Sequence, residues 1–73
     1  MTKKELLILN NALTHARVRF TEALKDKDAH PLNLTAEYNV AYSRGLLVGV
    51  YVAMGCSVTQ AEIMAEMVSK ELK

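Results

Sequence analysis

The segment 46–54 constrains the fold more than any other part of the chain. It reads LLVGVYVAM, carries no charge and shows no alternation between apolar and polar residues. A helix of this composition is apolar nearly all the way round, so it must be covered on several sides. The segment has about half of the roughly 20 residues that a membrane-spanning helix needs. We therefore expect the rest of the chain, together with a further surface, to cover it.

The length of the chain limits how much core it can build. Its 73 residues are enough for one domain, spanning 1–73. Domains below roughly 70–80 residues seldom gain more than about 3–5 kcal/mol from their core, and disulfides, metals or oligomerisation commonly add to it. Cys56 is the single cysteine, which excludes an internal disulfide, and no Cys/His cluster has the spacing of zinc ligands. A homodimer, or docking on a partner, is the remaining way to stabilise the domain.

Local signals predict an all-α fold with helices at about 3–27, 34–54 and 60–71. The run Thr2-Lys3-Lys4-Glu5 has the form of a capping box at the start of the first helix. Pro31 breaks the chain after it, and either Asn33 or Thr35 can cap the second helix. Gly55 is suited to end the second helix in a left-handed conformation. The short connection between the first two helices predicts an antiparallel hairpin.

The third helix has two overlapping capping signals. Thr59-Gln60-Ala61-Glu62 and Ser57-Val58-Thr59-Gln60 both fit a capping box. With Thr59 as the cap, the helix begins at about residue 60. Its predicted apolar face consists of Ala61, Met64, Ala65, Val68 and Leu72, with Ile63 and Met67 alongside.

Apolar residues at alternating spacings of three and four predict how the hairpin packs. The predicted inner face of the first helix consists of Leu6, Leu9, Leu13, Ala16, Phe20 and Ala23. That of the second helix consists of Leu34, Tyr38, Ala41, Gly45, Val48 and Val52. Laid antiparallel, the two faces bring Ala16 against Gly45. This contact would explain a glycine in mid-helix, and a leucine at position 45 would then overpack the layer.

The apolar residues left over by this packing predict a protein interface. One short helix can cover only one flank of the second helix, so part of its surface is expected to be exposed. Tyrosine and methionine are both enriched at the cores of protein interfaces. The predicted interface, between two copies in a homodimer or with another protein, consists of Leu47, Val50, Tyr51, Met54, Met64 and Met67.

The balance of charge argues against a strong grip on nucleic acid. The formal net charge is +1, whereas binding to the phosphate backbone needs a basic face. The alternative to a protein-binding function is a small DNA- or RNA-binding regulator that uses Arg17, Arg19, Lys25 and Lys27 on the first helix. These residues more commonly form a solvated face. No signal peptide is visible, and the lone cysteine fits a reducing compartment, so a soluble cytoplasmic protein is expected.

Few residues are suited to catalysis. His15, His30 and Cys56 are the candidates, and their spacing does not imply that any two of them meet. We find no nucleophile elbow, phosphate-binding glycine loop, paired carboxylates or metal motif. We therefore expect a protein that is not an enzyme and that binds no cofactor or metal.

Two resemblances concern the type of protein. The run 57–65 resembles the first helix of a helix-turn-helix, but because the chain ends at Lys73 we expect no recognition helix. The segment Tyr42-Ser43-Arg44-Gly45-Leu46 of the second helix has a Tyr-x-x-Gly pattern. In this it resembles the small all-helical accessory proteins of bacteriophages, many of which are helical hairpins with a second helix rich in that pattern. That resemblance implies a protein that binds a host or phage protein and inhibits or modulates it.

Overall fold

The computed structural model describes residues 2–71, and within that range it confirms an all-α fold. The helices are α1 (Lys3–Ala29), α2 (Leu34–Ala53) and α3 (Val58–Glu71). The first is longer at its end than expected, and the third begins before residue 60. Leu72, predicted on the apolar face of the third helix, lies outside the described residues.

Side-chain caps fix the starts of α1 and α2. The Thr2 hydroxyl accepts a hydrogen bond from the Glu5 amide at 3.1 Å, as the capping-box pattern predicts. Asn33 caps α2, because its side-chain oxygen accepts from the amides of Thr35 at 2.8 Å and Ala36 at 3.4 Å. Thr35, the alternative cap, therefore lies inside the helix.

The end of α2 is a Schellman motif. Gly55 has a φ of 105°, a left-handed conformation that residues with a Cβ rarely adopt. Its amide donates to the Val52 carbonyl at 3.0 Å, and the Cys56 amide donates to the Tyr51 carbonyl at 3.1 Å. These two bonds satisfy carbonyl groups that the end of a helix leaves free. Gly55 thus ends α2 as predicted and turns the chain toward α3.

The residue that caps α3 is Ser57, not Thr59 as predicted. The Ser57 hydroxyl accepts from the Gln60 amide at 3.2 Å, and the Gln60 side-chain oxygen accepts from the Ser57 amide at 3.4 Å. This reciprocal pair is a capping box, and it places the start of the helix at Val58. Thr59, the expected cap, is already helical. Of the two overlapping capping-box patterns, the one that begins at Ser57 forms in the structure.

The core lies where α2 packs against both other helices. Its large members are Phe20 from α1 and Leu47 and Tyr51 from α2, and alanines of α1 and α3 belong to the same buried cluster. Leu47 has no exposed surface at all. The buried core cluster consists of Ala16, Phe20, Leu47, Tyr51, Ala61, Ala65 and Val68.

The predicted inner face of α1 is largely confirmed, and that of α2 is wrong. On α1, Ala16, Phe20 and Ala23 are buried, whereas Leu6 is exposed. On α2, the buried residues are Ala36, Ser43, Leu47 and Tyr51. Of the residues predicted to be buried there, Val48 is half-buried against the core, and the others are exposed: Leu34, Tyr38, Ala41, Gly45 and Val52. No atom of another helix lies within 4 Å of where a Cβ on Gly45 would stand. The predicted Ala16–Gly45 contact is therefore absent.

Ser43 explains the difference between the predicted and the observed inner face of α2. Its side chain is buried at the centre of the true inner face, where a polar residue was not expected. The hydroxyl donates to carbonyl oxygens of its own helix, that of Asn39 at 2.6 Å and that of Val40 at 3.2 Å. A serine that is satisfied in this way can be buried without a partner on another helix. Hydrophobic spacing alone does not reveal this.

Two leucines on opposite sides of α2 test this arrangement. We expect Leu47→Ala to lower the free energy of unfolding by about 2–5 kcal/mol, because it leaves a cavity in the core. Leu34→Ala is the matched control: Leu34 is 80% exposed, and surface substitutions usually change stability by less than about 0.5 kcal/mol. Urea unfolding followed by circular dichroism measures both. If Leu34→Ala lowered the free energy of unfolding more than Leu47→Ala, the orientation of α2 predicted from the sequence would be supported instead.

The start of α3 can be tested in the same way. Ser57→Ala removes the hydroxyl that caps the Gln60 amide and should destabilise the protein by about 1 kcal/mol. Thr59→Ala removes a hydroxyl from within the helix and should change the stability by less than about 0.5 kcal/mol. The same unfolding experiment compares the two variants. Equal losses would mean that Ser57 is not the cap.

Candidate protein interface

The predicted interface residues divide between the core and the surface. Leu47 is fully buried and Tyr51 is only 6% exposed, both within their own chain. Val50 and Met54 are half-buried, and Met64 and Met67 of α3 are exposed. In the described conformation, therefore, Leu47 and Tyr51 are not available to a partner.

The surface that α2 exposes includes Tyr38, Gly45 and Val52, three of the residues predicted to face the core. We call it the outer face of α2 and define it as Tyr38, Tyr42, Gly45, Gly49 and Val52. The exposed fractions of its larger side chains are 66% for Tyr38, 50% for Tyr42 and 40% for Val52. Both glycines are exposed, and nothing on another helix lies within 4 Å of where their Cβ atoms would stand. This surface is uncharged along most of the helix.

An aromatic and cationic cluster occupies one end of the outer face. The rings of Tyr38 and Tyr42 are stacked, with centroids 6.1 Å apart and an angle of 17° between their planes. The guanidinium carbon of Arg19, from α1, lies 5.9 Å from the centroid of the Tyr42 ring. A cation–π contact at such an exposed site contributes about 0.5–1 kcal/mol. Tyrosine and arginine are both frequent among residues that dominate binding at protein interfaces.

A shallow cleft between α1 and α2 adjoins this cluster. Its volume is about 270 Å³. It is lined by Arg19, Glu22, Ala23, Asp26, Asn39, Tyr42 and Ser43. Two carboxylates and one guanidinium give the lining more negative than positive charge. The surroundings of Arg19 are thus unfavourable for a phosphate group.

The basic residues considered for nucleic acid do not act together. Arg17 lies toward α3, where its guanidinium is 3.9 Å from the Glu71 carboxylate in an exposed ion pair that contributes little to stability. Arg19 lies toward α2 instead, against the Tyr42 ring. Lys25 is exposed and Lys27 is half-buried. The two arginines therefore contact different neighbours.

The residues considered for catalysis or metal binding are in unrelated settings. His15 is exposed on α1, and His30 caps the end of that helix. Cys56 is half-buried, with its Sγ 4.0 Å from Met64 Sδ. Among residues 2–71, no three His, Cys, Asp or Glu side chains are grouped so that they could hold a metal ion. None of the helices in this part of the chain is both long enough and apolar enough to cross a membrane.

Comparisons with known proteins leave the site to be interpreted from its own chemistry. No protein-family model matches the chain, and neither a curated protein nor a solved structure matches it significantly.

Proposed function

We propose that this protein is a cytoplasmic, non-enzymatic interaction module in which the outer face of α2 is the surface that binds another protein chain. The observation that carries the proposal is the exposure of uncharged aromatic side chains, Tyr38 and Tyr42, on the helix that contributes Leu47 and Tyr51 to the core. As for the phage accessory proteins that the sequence resembles, the proposed role is to inhibit or modulate a host or phage protein.

A low entropy cost of binding and room for close approach support the outer face as the binding surface. Tyr38 and Tyr42 each have few rotatable bonds, and they are already stacked on one another. Ordering such side chains on binding costs little conformational entropy. Gly45 and Gly49 leave room for the backbone of a partner helix to approach closely. A surface with aromatic residues at one end and two glycines in the middle is well suited to bind a helix.

A finer architecture belongs to the same proposal. We propose that α1 and α2 run antiparallel as a helical hairpin, with α3 as the third, shorter helix, and that the protein is dimeric. The turn from Ala29 to Leu34 is short, as in hairpins of neighbouring helices. The contact between Arg19, near the middle of α1, and Tyr42, near the middle of α2, supports this arrangement.

Site-specific crosslinking in cells tests the outer face. Replacing Tyr38 with photoreactive p-benzoylphenylalanine should give a covalent adduct with a protein partner, because the side chain is exposed at the proposed surface. The same substitution at Glu62, which is exposed on α3, is the matched control and should give no such adduct. Mass spectrometry identifies the adducts. If the two positions crosslink equally, or if neither does, the outer face is not the binding surface.

Nucleic-acid binding is the alternative function, and one observation favours it. Arg19 and the stacked Tyr38–Tyr42 pair combine a cation with exposed aromatic rings, and single strands stack on such surfaces. Glu22 and Asp26 in the adjoining cleft oppose it by repelling phosphate. The balance favours a protein partner.

Salt dependence distinguishes the two functions. A protein that makes several phosphate contacts loses affinity steeply as the salt concentration rises. We expect no binding to duplex or single-stranded nucleic acid tighter than about 10 μM near physiological salt, as measured by fluorescence anisotropy. Submicromolar, salt-sensitive binding that is abolished by Arg17→Ala together with Arg19→Ala would establish the alternative.

A further inference from the structure

The outer face of α2 has the spacing of a helix–helix contact. Its members, Tyr38, Tyr42, Gly45, Gly49 and Val52, are separated by four, three, four and three residues. This alternation aligns side chains along one side of a helix, as in the contact between two packed helices. The first two residues are bulky and the next two have no side chain. The surface is therefore raised at one end and flat in the middle.

Such a surface is complementary to its own copy when the two run antiparallel. A two-fold axis through Gly45 sets this glycine against its counterpart. It places Tyr42 of one copy opposite Gly49 of the other, and Tyr38 opposite Val52. Each large residue then faces a smaller one. A parallel arrangement would instead set tyrosine against tyrosine and leave a gap at the glycines.

The chain exposes more surface than is expected for a monomer of its mass, and the excess is close to the area that one partner buries in a dimer. The accessible surface is 5351 Å², whereas a monomeric protein of 8.1 kDa is expected to expose about 4,500 Å². The excess is about 850 Å², close to the roughly 800 Å² that each partner contributes to a standard interface. This excess belongs to the whole chain, so it supports one stable association, and the spacing and charge of the outer face locate that association on α2.

The distribution of charge also makes the outer face of α2 a better site for a second copy than the exposed apolar surfaces of α1 and α3. An isologous contact sets each group near its own counterpart, so a charge at the centre would repel itself. The outer face has no charged residue among its members. Glu37 and Arg44 adjoin Tyr38 and Gly45 in sequence, but successive residues point about 100° apart around a helix. The exposed apolar residues at the start of α1 follow Lys3, Lys4 and Glu5, and those of α3 include Ile63 and Met64, which lie between Glu62 and Glu66.

We infer that the partner at the outer face of α2 is a second copy of this chain, bound antiparallel about a two-fold axis through Gly45. The inference rests on the proposed function, since it names the occupant of the same surface. Arg19, held against the Tyr42 ring, lies at the rim of this contact, where polar groups are usual.

A charge exchange at the axis tests the inference. Sedimentation equilibrium of the wild type should give twice the mass of 8.1 kDa. Gly45→Glu and Gly45→Lys should each give the monomer mass, because two like charges meet at the axis. An equimolar mixture of the two variants should return to the dimer mass. Both variants should keep their helical circular dichroism, because nothing on another helix lies within 4 Å of the added Cβ.

Matched controls and a second pair of variants keep the result interpretable. Asn11→Glu and Asn11→Lys place the same charges on an exposed position of α1 and should both remain dimers. If the Gly45 variants fail to fold, the register is tested by Gly49→Tyr, which should dissociate the dimer, and by Gly49→Tyr with Tyr42→Ala, which should restore it. Failure of that double variant to associate would overturn the antiparallel register.

The outcomes separate this inference from the proposed function. A monomeric wild type at the highest soluble concentration overturns the second copy, as does a dimer that both Gly45 variants leave intact. Gly45 variants that are monomeric and do not recombine when mixed also overturn it. If the monomeric wild type still crosslinks a different protein from position 38, the proposed function survives without the second copy. If it crosslinks nothing, both are overturned.

Discussion

Close packing of small residues against large ones is the constraint on which the structure depends. Five of the nine buried hydrophobic residues are alanines, and Phe20 and Leu47 are the largest fully buried side chains. Alanines at these positions let the helices approach until Leu47 loses all contact with water. The same choice limits the apolar area that the core can hold. Large hydrophobic side chains are consequently left on all three helices at the surface.

Local signals in the sequence predicted the ends of the helices better than their orientation. Thr2, Asn33 and Gly55 act through hydrogen bonds or backbone conformation within a few residues, so their roles could be predicted. The inner face of α1 could be predicted as well, because charged residues mark its outside. On α2 hardly any charge marks the outside, so two opposite faces fit the spacing equally well. The hydroxyl of Ser43, satisfied by its own helix, made the true inner face look polar.

One error in the orientation of α2 accounts for most of the difference at the candidate site. In the structure, the side of α2 that was predicted to be outside faces the core. Leu47 and Tyr51 are therefore core residues and not interface residues. Tyr38, predicted to be buried, is conversely part of an exposed aromatic pair. The contact between Arg19 and Tyr42 could not have been predicted, because it joins residues of two helices whose register was misassigned. Met64 and Met67 are exposed, as an interface on α3 would require.

The composition of α2 makes its helical state depend on its neighbours. Glycine costs about 1 kcal/mol relative to alanine inside a helix, and β-branched residues are also less favourable. Besides Gly45 and Gly49, α2 contains Val40, Val48, Val50 and Val52. A segment with such weak intrinsic propensity does not hold a helix alone in water, where tertiary packing supplies most of the stability. Because α1 and α3 both cover α2, the three helices form one cooperative unit, and loss of α3 would unfold α2 rather than leave a stable pair.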